Sequence, residues 1–422
     1  MSELRDRSHR GRVTIARHGR LPKRRGWSSA LKGLAGALAV VLVSGGTVGA
    51  VALHNVTSRV DIVDIPADGA AIPDIGAIKG GFNILIAGTD SRTDQDGLGG
   101  DAEDYGGELN DVNILLHVSE DQTRATAISL PRDMIVDIPA CTDPDTGYQK
   151  YESTEPLNAA LGYGGLSCVA QTVEEFTGLP VQFAGLIGFK GVVDMTNAVV
   201  GVPVCITGAI DDQDSGLYIP EAGTHTLQGE QALAFLRTRH GVGDGSDLGR
   251  INSQQVYLSS LVRTLQSGAT LGDPAKVYNL ATSALDAMQL SSSLANVPTM
   301  MSMAFALKDI PMDRITFVQY PGSTDGTGIY ANKVMPDPYL GEQLMDLVRN
   351  DQDFSLLQPG GVGSEFAEPE VDPNAPVDPE APVDPNAPVE AGEEVVDPNA
   401  PPELDISGQT AAQEGCAVAN NY

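Results

Sequence analysis

Basic residues are scarce in most of this chain. Of its 422 residues, 26 are lysine or arginine and 56 are aspartate or glutamate, which gives a formal net charge of −30. Residues 1–32 contain ten of the basic residues and two of the acidic ones, so residues 33–422 hold 16 basic and 54 acidic residues. A body with this charge repels the phosphate backbone of DNA and RNA, which argues against nucleic-acid binding. Arginines retained in such a body are expected to have specific ionic partners.

Charged residues are missing altogether from residues 33–53. A helix of this length spans the ~30 Å hydrocarbon layer at ~1.5 Å per residue. Because lysine and arginine are concentrated before it, the positive-inside rule predicts a cytoplasmic basic tail (1–32), one transmembrane helix (33–53) and an extracellular remainder. A cleaved signal peptide is the alternative, although the apolar stretch exceeds the usual ~7–15-residue signal core. We therefore expect a single-pass protein of the cell membrane.

Cysteine is rare, and the four cysteines lack the spacing of metal ligands, which argues against a zinc site. All four follow the membrane segment, where an oxidising compartment permits disulfides. A Cys141–Cys168 bond would close a loop of about 27 residues and stabilise the fold by roughly 3–4 kcal/mol in the loop-entropy model. Free buried thiols are the alternative. If the first pair forms, Cys205–Cys416 remains, and it would hold the C-terminus to the body.

Composition divides the extracellular part into four segments. Residues 54–80 form a polar stalk, and residues 81–357 have the mixed composition and periodicity of one large domain. Residues 358–403 are rich in proline and acid and repeat the motif DPNAP, which predicts a disordered spacer. The last segment, 404–422, is apolar enough to dock on the domain.

The large domain alternates predicted strands with predicted helices. The strands are mostly apolar, which indicates that both faces of their sheet are covered. Predicted strands are 82–88, 112–118, 124–130 and 202–206, and predicted helices are 169–178, 189–201, 229–239, 248–265, 275–288 and 293–307. This alternation predicts an α/β fold, a three-layer α/β/α sandwich with a central mixed sheet.

Two aspartates and one arginine adjoin the first three predicted strands. Asp90 follows the first strand, Asp111 precedes the second, and Arg132 follows the third. Ligands of open α/β sheets bind at strand ends of this kind. Two carboxylates there could share a divalent cation, since Mg²⁺ takes one or two carboxylates together with phosphate oxygens. For each aspartate alone, a turn or helix cap is the alternative role.

A second cluster of polar groups follows within eighteen residues. Arg237 and Arg239 lie near the end of one predicted helix, and Arg250 and Gln254 share one face of the next. Arginine offers a planar set of donors that matches phosphate oxygens, so this cluster predicts phosphate binding. The alternative is ion pairing with nearby carboxylates, namely Glu230, Asp244 and Asp247.

Eight motifs follow one another along this part of the chain: NILIAGTDSR, NDVNILLHV, ISLPRD, LNAALGYGG, TVEEFTGLPV, GF-x-G-VVDM, TLQGEQALAFLRTRH and DLGRINSQQ. Together they resemble the LytR-CpsA-Psr family of membrane-anchored envelope enzymes. The resemblance covers residues 80–265 and keeps the family's order of motifs. It implies a phosphotransferase that moves a glycopolymer, as its glycosyl-1-phosphate, from a polyprenyl-pyrophosphate carrier to a hydroxyl of peptidoglycan or of a surface glycoprotein. Polyprenyl phosphate would be released, and residues 81–357 would be the catalytic domain.

The resemblance also implies site residues. Asp90 and Asp111 match the family's ligands for Mg²⁺, for which Mn²⁺ could substitute. The residues implied as catalytic are Asp90, Asp111, Arg132, Arg237 and Arg239. Those implied to bind the pyrophosphate are Arg92, Arg132, Arg237, Arg239, Asp247, Arg250 and Gln254. The positive charge would neutralise the reacting phosphates, and Asp90 could assist deprotonation of the acceptor hydroxyl.

Three positions depart from the family pattern. Leu109 replaces an arginine of many members, Pro156 replaces a lysine, and Ser253 replaces an arginine of some relatives. The first two changes remove phosphate donors, for which Lys150, Arg92 or Arg132 could compensate. A non-catalytic scaffold that binds polyprenyl phosphate, and a pyrophosphatase that uses water as acceptor, therefore remain as alternatives.

The family's polyprenyl chain occupies a tunnel between sheet and helices. Residues 298–307, which are rich in methionine, and Val192, Val193 and Met195 could line such a tunnel. Ordinary core packing is the alternative for each of these residues, because methionine fills irregular gaps in any core.

Overall fold

The computed structural model describes residues 62–65, 80–91, 109–144, 146–267, 270–361, 364–366 and 401–420. The chain divides into two compact units, Met1–Asn55 and Val56–Tyr422, and every described residue belongs to the second. The predicted transmembrane helix (33–53), most of the stalk and most of the spacer lie outside the described residues. Among the residues that are described, no helix has the length and apolar character needed to cross a bilayer.

The second unit contains 21 strands and seven α-helices in its described part. The strands are β1 (Ile62–Val63), β2 (Phe82–Thr89), β3 (Asn110–Val118), β4 (Ala125–Ser129), β5 (Ile135–Ile138), β6 (Cys141–Thr142), β7 (Gln149–Lys150), β8 (Ser153–Pro156), β9 (Phe183–Ile187), β10 (Val202–Ile206), β11 (Ile210–Asp212), β12 (Leu217–Ile219), β13 (Gly223–Leu227), β14 (Met288–Ser291), β15 (Ile315–Gln319), β16 (Gly322–Ser323), β17 (Met335–Pro336), β18 (Ser355–Pro359), β19 (Ser364–Phe366), β20 (Glu403–Thr410) and β21 (Gly415–Ala417). The helices are α1 (Ala160–Thr177), α2 (Phe189–Ala198), α3 (Glu230–Arg237), α4 (Asp247–Gln266), α5 (Pro274–Ala287), α6 (Val297–Asp309) and α7 (Pro338–Arg349).

Nine strands form the central sheet, in the order β1-β14-β9-β2-β3-β4-β15-β20-β18. The sheet is mixed, because β2 pairs antiparallel with β3 and parallel with β9, while β4 pairs antiparallel with β3 and parallel with β15. The predicted mixed sheet is therefore confirmed. It includes strands that sequence periodicity did not identify, among them β9, β15 and β20.

Helices cover both faces of this sheet. Side chains alternate along β2, so that Leu85 and Ala87 face α1 and α7 while Phe82 and Ile84 face the layer that contains α5 and α6. Burial of apolar side chains on each face is the main force that holds such layers together. The predicted three layers are present in the described part of the chain.

Local signals explain where the helices start. Asp273, Asn296 and Asp337 accept hydrogen bonds from backbone amides at the starts of α5, α6 and α7, and a proline lies in the first turn of each. The helix predicted over 293–307 therefore begins later, at Val297. The helix predicted over 169–178 begins earlier, at Ala160. Its first part was not predicted because the non-helical residues Gly164 and Gly165 interrupt the helical periodicity.

Both predicted disulfides are present. Cys141 and Cys168 join β6 to α1, and Cys205 and Cys416 join β10 to β21. The first bond also explains Gly164, because a Cβ there would lie 3.0 Å from the Cβ atoms of both Cys141 and Cys168. The second bond lies within a four-stranded sheet of order β13-β10-β21-β19, which packs beside α3 and α4.

The C-terminal segment forms part of the central sheet. Strand β20 lies between β15 and β18, and its Leu404 and Ile406 are buried in the same cluster as α1 and α7. Buried Gln409 donates a 3.0 Å hydrogen bond to the carbonyl of Gln255 in α4. The segment that was predicted to dock on the domain thus completes its core.

His117, near the end of β3, links β2 to the chain after α7. Its Nδ1 lies 2.7 Å from Oδ1 of Asn83, and its Nε2 lies 2.8 Å from Oδ1 of Asp351. Burial lowers the pKa of His117 more than the Asp351 carboxylate raises it. The folded protein therefore favours the neutral imidazole relative to the unfolded chain.

This pKa shift predicts a loss of stability in acid. Because the pKa of His117 is lower in the folded state, its contribution is complete above the unfolded value of about 6.5 and declines as the pH falls below it. Urea unfolding near pH 7.5 and pH 5.5 should show that the wild type loses up to about 1 kcal/mol more than His117→Asn, which cannot titrate. Equal losses in the two proteins would contradict the prediction.

Candidate functional site

Asp90 and Asp111 come together at one edge of the central sheet. Asp90 directly follows β2, and Asp111 is the second residue of β3. The pairing between these two strands shifts register after Gly88. The backbone amide of Asp90 donates to the carbonyl of Leu109 at 3.3 Å, and the Leu109 amide donates to Oδ1 of Asp90 at 3.4 Å. The local backbone thus fixes both carboxylates at the same edge.

The two carboxylates affect each other electrostatically. Burial, and next the nearby charge of Asp111, raise the pKa of Asp90, while the Leu109 amide and Arg132 act in the opposite direction. Two partly buried carboxylates whose charges repel form a donor set that suits a hard divalent cation. The side chains therefore fit the Mg²⁺ ligands that the resemblance implies.

Arg132 reaches this pair from the loop after β4. The Leu130 amide donates to the carbonyl of Asn113 at 2.8 Å, and a turn closes between Pro131 and Met134. The guanidinium of Arg132 donates to the carboxylate of Asp111, and both side chains are about one-fifth exposed. An ion pair with this much shielding is held more firmly than a surface pair.

Helix α4 brings two further polar side chains to the same place. Ser246 caps its first turn by accepting a 3.0 Å hydrogen bond from the Gly249 amide. Arg250 and Gln254, one turn apart, are both buried and line one cleft with Asp111 and Arg132. Nε2 of Gln254 donates to the carbonyl of Leu236 at 2.8 Å, which joins α4 to the end of α3.

Arg237 and Arg239 follow at the end of α3. The guanidinium of Arg237 lies over the ring of Phe189, 4.2 Å from its centroid. Between the two arginines, buried Thr238 donates to Asp212. Burial raises the pKa of Asp212, but the hydrogen bonds from Thr238 and Ser215 outweigh burial and bring the pKa below its ordinary value. The carboxylate therefore stays charged and fixes this loop. Neither arginine is among the residues lining the cleft with Asp111.

Two residues predicted to bind the pyrophosphate have side chains outside the described part of the chain. Arg92 lies outside the described residues, and Asp247 is the first residue of α4 but its side chain is not described. The structure therefore groups five of the predicted site residues: Asp90, Asp111, Arg132, Arg250 and Gln254. Arg237 directly follows Leu236, whose carbonyl accepts the hydrogen bond from Gln254, so the end of α3 is joined to this group.

The three departures from the family pattern have distinct surroundings. Leu109 is partly exposed beside Asp90, and Pro156 pairs with Ile135 in the β5–β8 ladder. Ser253 is buried and donates to the carbonyl of Gly249. The ammonium group of Lys150 lies 4.1 Å from the ring centroid of Tyr163. Lys150 does not line the cleft, so its contacts give no support to the compensating role predicted for it.

Two charged residues beside Arg132 were not predicted from the sequence. Nε of Arg132 lies 3.5 Å from Oδ2 of Asp133, and Asp133 also pairs with Lys333. Asp133 belongs to the motif ISLPRD and could have been singled out there. Lys333 is separated from it by 200 residues, and no local pattern marks it.

The apolar segments predicted to line a tunnel are partly buried. In α6, Met303 is buried, while Met300 and Met301 are half-buried against the same cluster. On the sheet face below them, Ile86, Ile114 and Leu116 are also only half-buried, although they belong to central strands. Val192, Val193 and Met195 are half-buried in α2.

A mixed α/β/α fold with carboxylates and arginines at one sheet edge defines an α/β protein with a charged cleft at that edge. The sequence matches the LytR_cpsA_psr family over residues 51–342, and the chain belongs to this family.

Relatives extend this finding. Cell wall biosynthesis protein LcpA of Corynebacterium glutamicum is 32% identical over 299 residues, which are 63% of this chain and 55% of LcpA. The polyisoprenyl-teichoic acid–peptidoglycan teichoic acid transferase TagT of Bacillus subtilis is 30% identical over 253 residues, 58% of this chain and 72% of TagT. The chain thus spans little more than half the length of LcpA. The crystal structure of B. subtilis TagV shares the fold, with 22% identity and a TM-score of 0.51 over 64% of this chain and 97% of that one.

Proposed function

We propose that this protein transfers a glycopolymer, as its glycosyl-1-phosphate, from a polyprenyl-pyrophosphate carrier to a hydroxyl of peptidoglycan or of a surface glycoprotein. Polyprenyl phosphate is the second product. Family membership supports the proposal, and so does the similarity to TagT, which is a polyisoprenyl-teichoic acid–peptidoglycan teichoic acid transferase.

The observation that carries the proposal is the cleft at the sheet edge. In a chain with a net charge of −30, Arg132 and buried Arg250 converge beside Asp90 and Asp111. Arginine binds phosphate oxygens through a planar set of donors, and its charge persists when it is partly desolvated. A pyrophosphate offers the phosphate oxygens that these two guanidinium groups can bind.

The lipid part of the donor requires an apolar surface next to this cleft. Ile114 lines the cleft and also belongs to the half-buried sheet face with Ile86 and Leu116. Central strands of a covered sheet are normally buried on both faces, so half-buried side chains indicate incomplete cover by the helices. We assign this face, with Met300 and Met301, to the polyprenyl chain.

Asp90 and Asp111 would hold Mg²⁺, or Mn²⁺, in the working enzyme. Such an ion supplies positive charge that neutralises the oxygens of the reacting pyrophosphate. Arg132 would orient the pyrophosphate from the Asp111 side, and Arg250 with Gln254 from the α4 side. Arg237 and Arg239, at the end of α3, would complete the binding of the phosphate oxygens.

In the proposed reaction the acceptor hydroxyl attacks the phosphorus atom attached to the sugar. A new phosphodiester bond forms, and the bond from that phosphorus to the bridging oxygen breaks, so that the electron pair leaves on polyprenyl phosphate. Asp90 would assist in taking the proton of the hydroxyl. The arginines neutralise the charge that develops on the leaving phosphate.

We further propose that residues 33–53 anchor the protein in the cell membrane and that the domain works outside the cytoplasm. The absence of charge from that segment supports this topology. The two disulfides support it as well, because such bonds persist in oxidising compartments.

The test uses the full-length protein in detergent. It is incubated with a polyprenyl-pyrophosphate oligosaccharide and a peptidoglycan fragment, with and without Mg²⁺, and the products are identified by mass spectrometry. We expect a phosphodiester-linked conjugate together with polyprenyl phosphate. Arg237→Ala should lower the rate by about a hundredfold if Arg237 stabilises the transition state. Arg314→Ala, which removes an exposed arginine in a short 3-10 helix, is the matched control.

The products distinguish the alternatives. Release of polyprenyl phosphate with a free sugar phosphate and no conjugate would identify a pyrophosphatase. Binding of the donor without any product, in an assay where another family member turns over, would favour a non-catalytic scaffold and direct attention to Leu109 and Pro156.

A further inference from the structure

A lysine from a distant part of the chain adjoins the loop that carries Arg132. Strand β15 runs parallel to β4, so the chain leaves both strands at the same sheet edge. After β15, the hairpin of β16 and β17 returns the chain alongside this loop. The Val334 amide donates to the carbonyl of Asp133 at 3.0 Å, and the Ile135 amide donates to the carbonyl of Val334 at 2.9 Å. These backbone bonds fix Lys333 beside Asp133.

Four charged side chains form an alternating row here. Nζ of Lys333 lies 2.5 Å from Oδ1 of Asp133, whose other oxygen lies 3.5 Å from Nε of Arg132. Arg132 in turn donates to Asp111. The side chain of Asp133 is 17% exposed and that of Lys333 is 33% exposed, so the row is shielded from much of the solvent. Ionic contacts in such surroundings are stronger than those of fully exposed pairs.

The row has a consequence for anion binding. Asp111 and Asp133 both contact Arg132, and Asp90 lies near, so carboxylates outnumber this guanidinium locally. Lys333 neutralises Asp133. Without it, Asp133 would bind Arg132 more strongly and would add an unbalanced negative charge close to the place where a pyrophosphate must bind.

We propose that Lys333 is a positioning residue for the phosphate site: by neutralising Asp133 it keeps the guanidinium of Arg132 oriented toward, and available to, the pyrophosphate of the donor. The inference rests on the proposed function for the identity of the anion. The hairpin after β15 thus contributes to the site, although it lies outside the motifs between residues 80 and 265.

The proposal makes a prediction about charge that a purely structural role does not. Lys333→Met should lower kcat/KM for the polyprenyl-pyrophosphate donor about tenfold or more, because the misplaced guanidinium binds the reacting group less well. Lys333→Arg should retain most of the activity. The double variant Lys333→Met with Asp133→Asn should recover most of the loss, because asparagine has the shape of aspartate but removes the uncompensated charge.

The experiment measures kcat and KM of the full-length variants, with Lys308→Met as the control for loss of an exposed lysine. Thermal unfolding of each variant reports loss of a structural contact separately. Unchanged kcat/KM in Lys333→Met would overturn the proposal, and so would a double variant as slow as Lys333→Met, which would instead indicate direct contact of Lys333 with the substrate.

Failure of the proposed function can be told apart from failure of this inference. If the wild type transfers nothing while another family member does, the same variants are compared by calorimetric titration with inorganic pyrophosphate. Weaker binding to Lys333→Met that the second substitution restores would support the positioning role independently of transfer. Equal binding to wild type and Lys333→Met, or binding to neither, would overturn it.

Discussion

Replacement of Asp111 by asparagine is expected to abolish most of the transfer activity while leaving the fold intact. Asp111 contacts Arg132 and raises the pKa of Asp90, so it connects the carboxylate and arginine halves of the cleft. Asparagine has the same shape and still accepts a hydrogen bond from Arg132. It removes one of the two negative charges that would hold a divalent cation, and we expect a rate loss on the order of a hundredfold or more.

The measurement is the initial rate of polyprenyl phosphate release, at several Mg²⁺ concentrations, by the wild type and by Asp111→Asn. Asp313→Asn is the matched control, since Asp313 is exposed in a short 3-10 helix outside the cleft. The thermal unfolding temperature of Asp111→Asn should remain close to that of the wild type. Transfer by Asp111→Asn at a rate within a few-fold of the wild type would remove Asp111 from the proposed mechanism.

How far the sequence predicts this molecule depends on the range of the interactions involved. Strands β2, β3, β4 and β10 and helices α4 and α5 were predicted within two residues at either end, because the strands are short apolar runs and the helices repeat at the helical period. These elements carry Asp111 and Arg250 or lie shortly before Asp90 and Arg132. The grouping of the central site residues could therefore be anticipated.

Features that depend on distant partners could not be anticipated. The pairing of Lys333 with Asp133 joins positions 200 residues apart, and nothing in the local sequence around Lys333 indicates it. The contact of Lys150 with Tyr163, in place of a contact with the cleft, depends on how the β6–β7 hairpin packs against α1. Spacing in the sequence cannot decide whether Lys150 contacts Tyr163 or the cleft.

Strand β20 is an instructive intermediate case. Its sequence, ELDISGQT, buries Leu404 and Ile406 and exposes Glu403 and Asp405, which is the alternation of a strand. The proline-rich and acidic tract before it suggested that the globular domain had already ended. Its place in the sheet depends on pairing with β15, about 90 residues earlier, and with β18.

The position of β20 predicts that the domain cannot fold without the C-terminal segment. Truncation after residue 400 would expose the edges of β15 and β18 and remove Leu404 and Ile406 from the core. Loss of one such side chain typically costs about 2–5 kcal/mol, and the whole stability of a domain is about 5–15 kcal/mol. The truncated protein is therefore expected to aggregate or to be degraded. Its yield after detergent extraction of membranes, and its circular dichroism spectrum, measure this.

Cleavage of the chain without removal of the segment should have a much smaller effect. A protease site inserted between residues 367 and 400 and then cut would yield two pieces that the Cys205–Cys416 bond still joins. Strand β20 would also remain paired on both sides, so the cut protein should keep its fold and its activity even after mild reduction. Release of the C-terminal piece on reduction under native conditions would show that β20 is not integral to the sheet. Retention would establish that the proline-rich tract connects two parts of one folding unit, because the strand that follows the tract is held by the same sheet that carries Asp111 and Arg132.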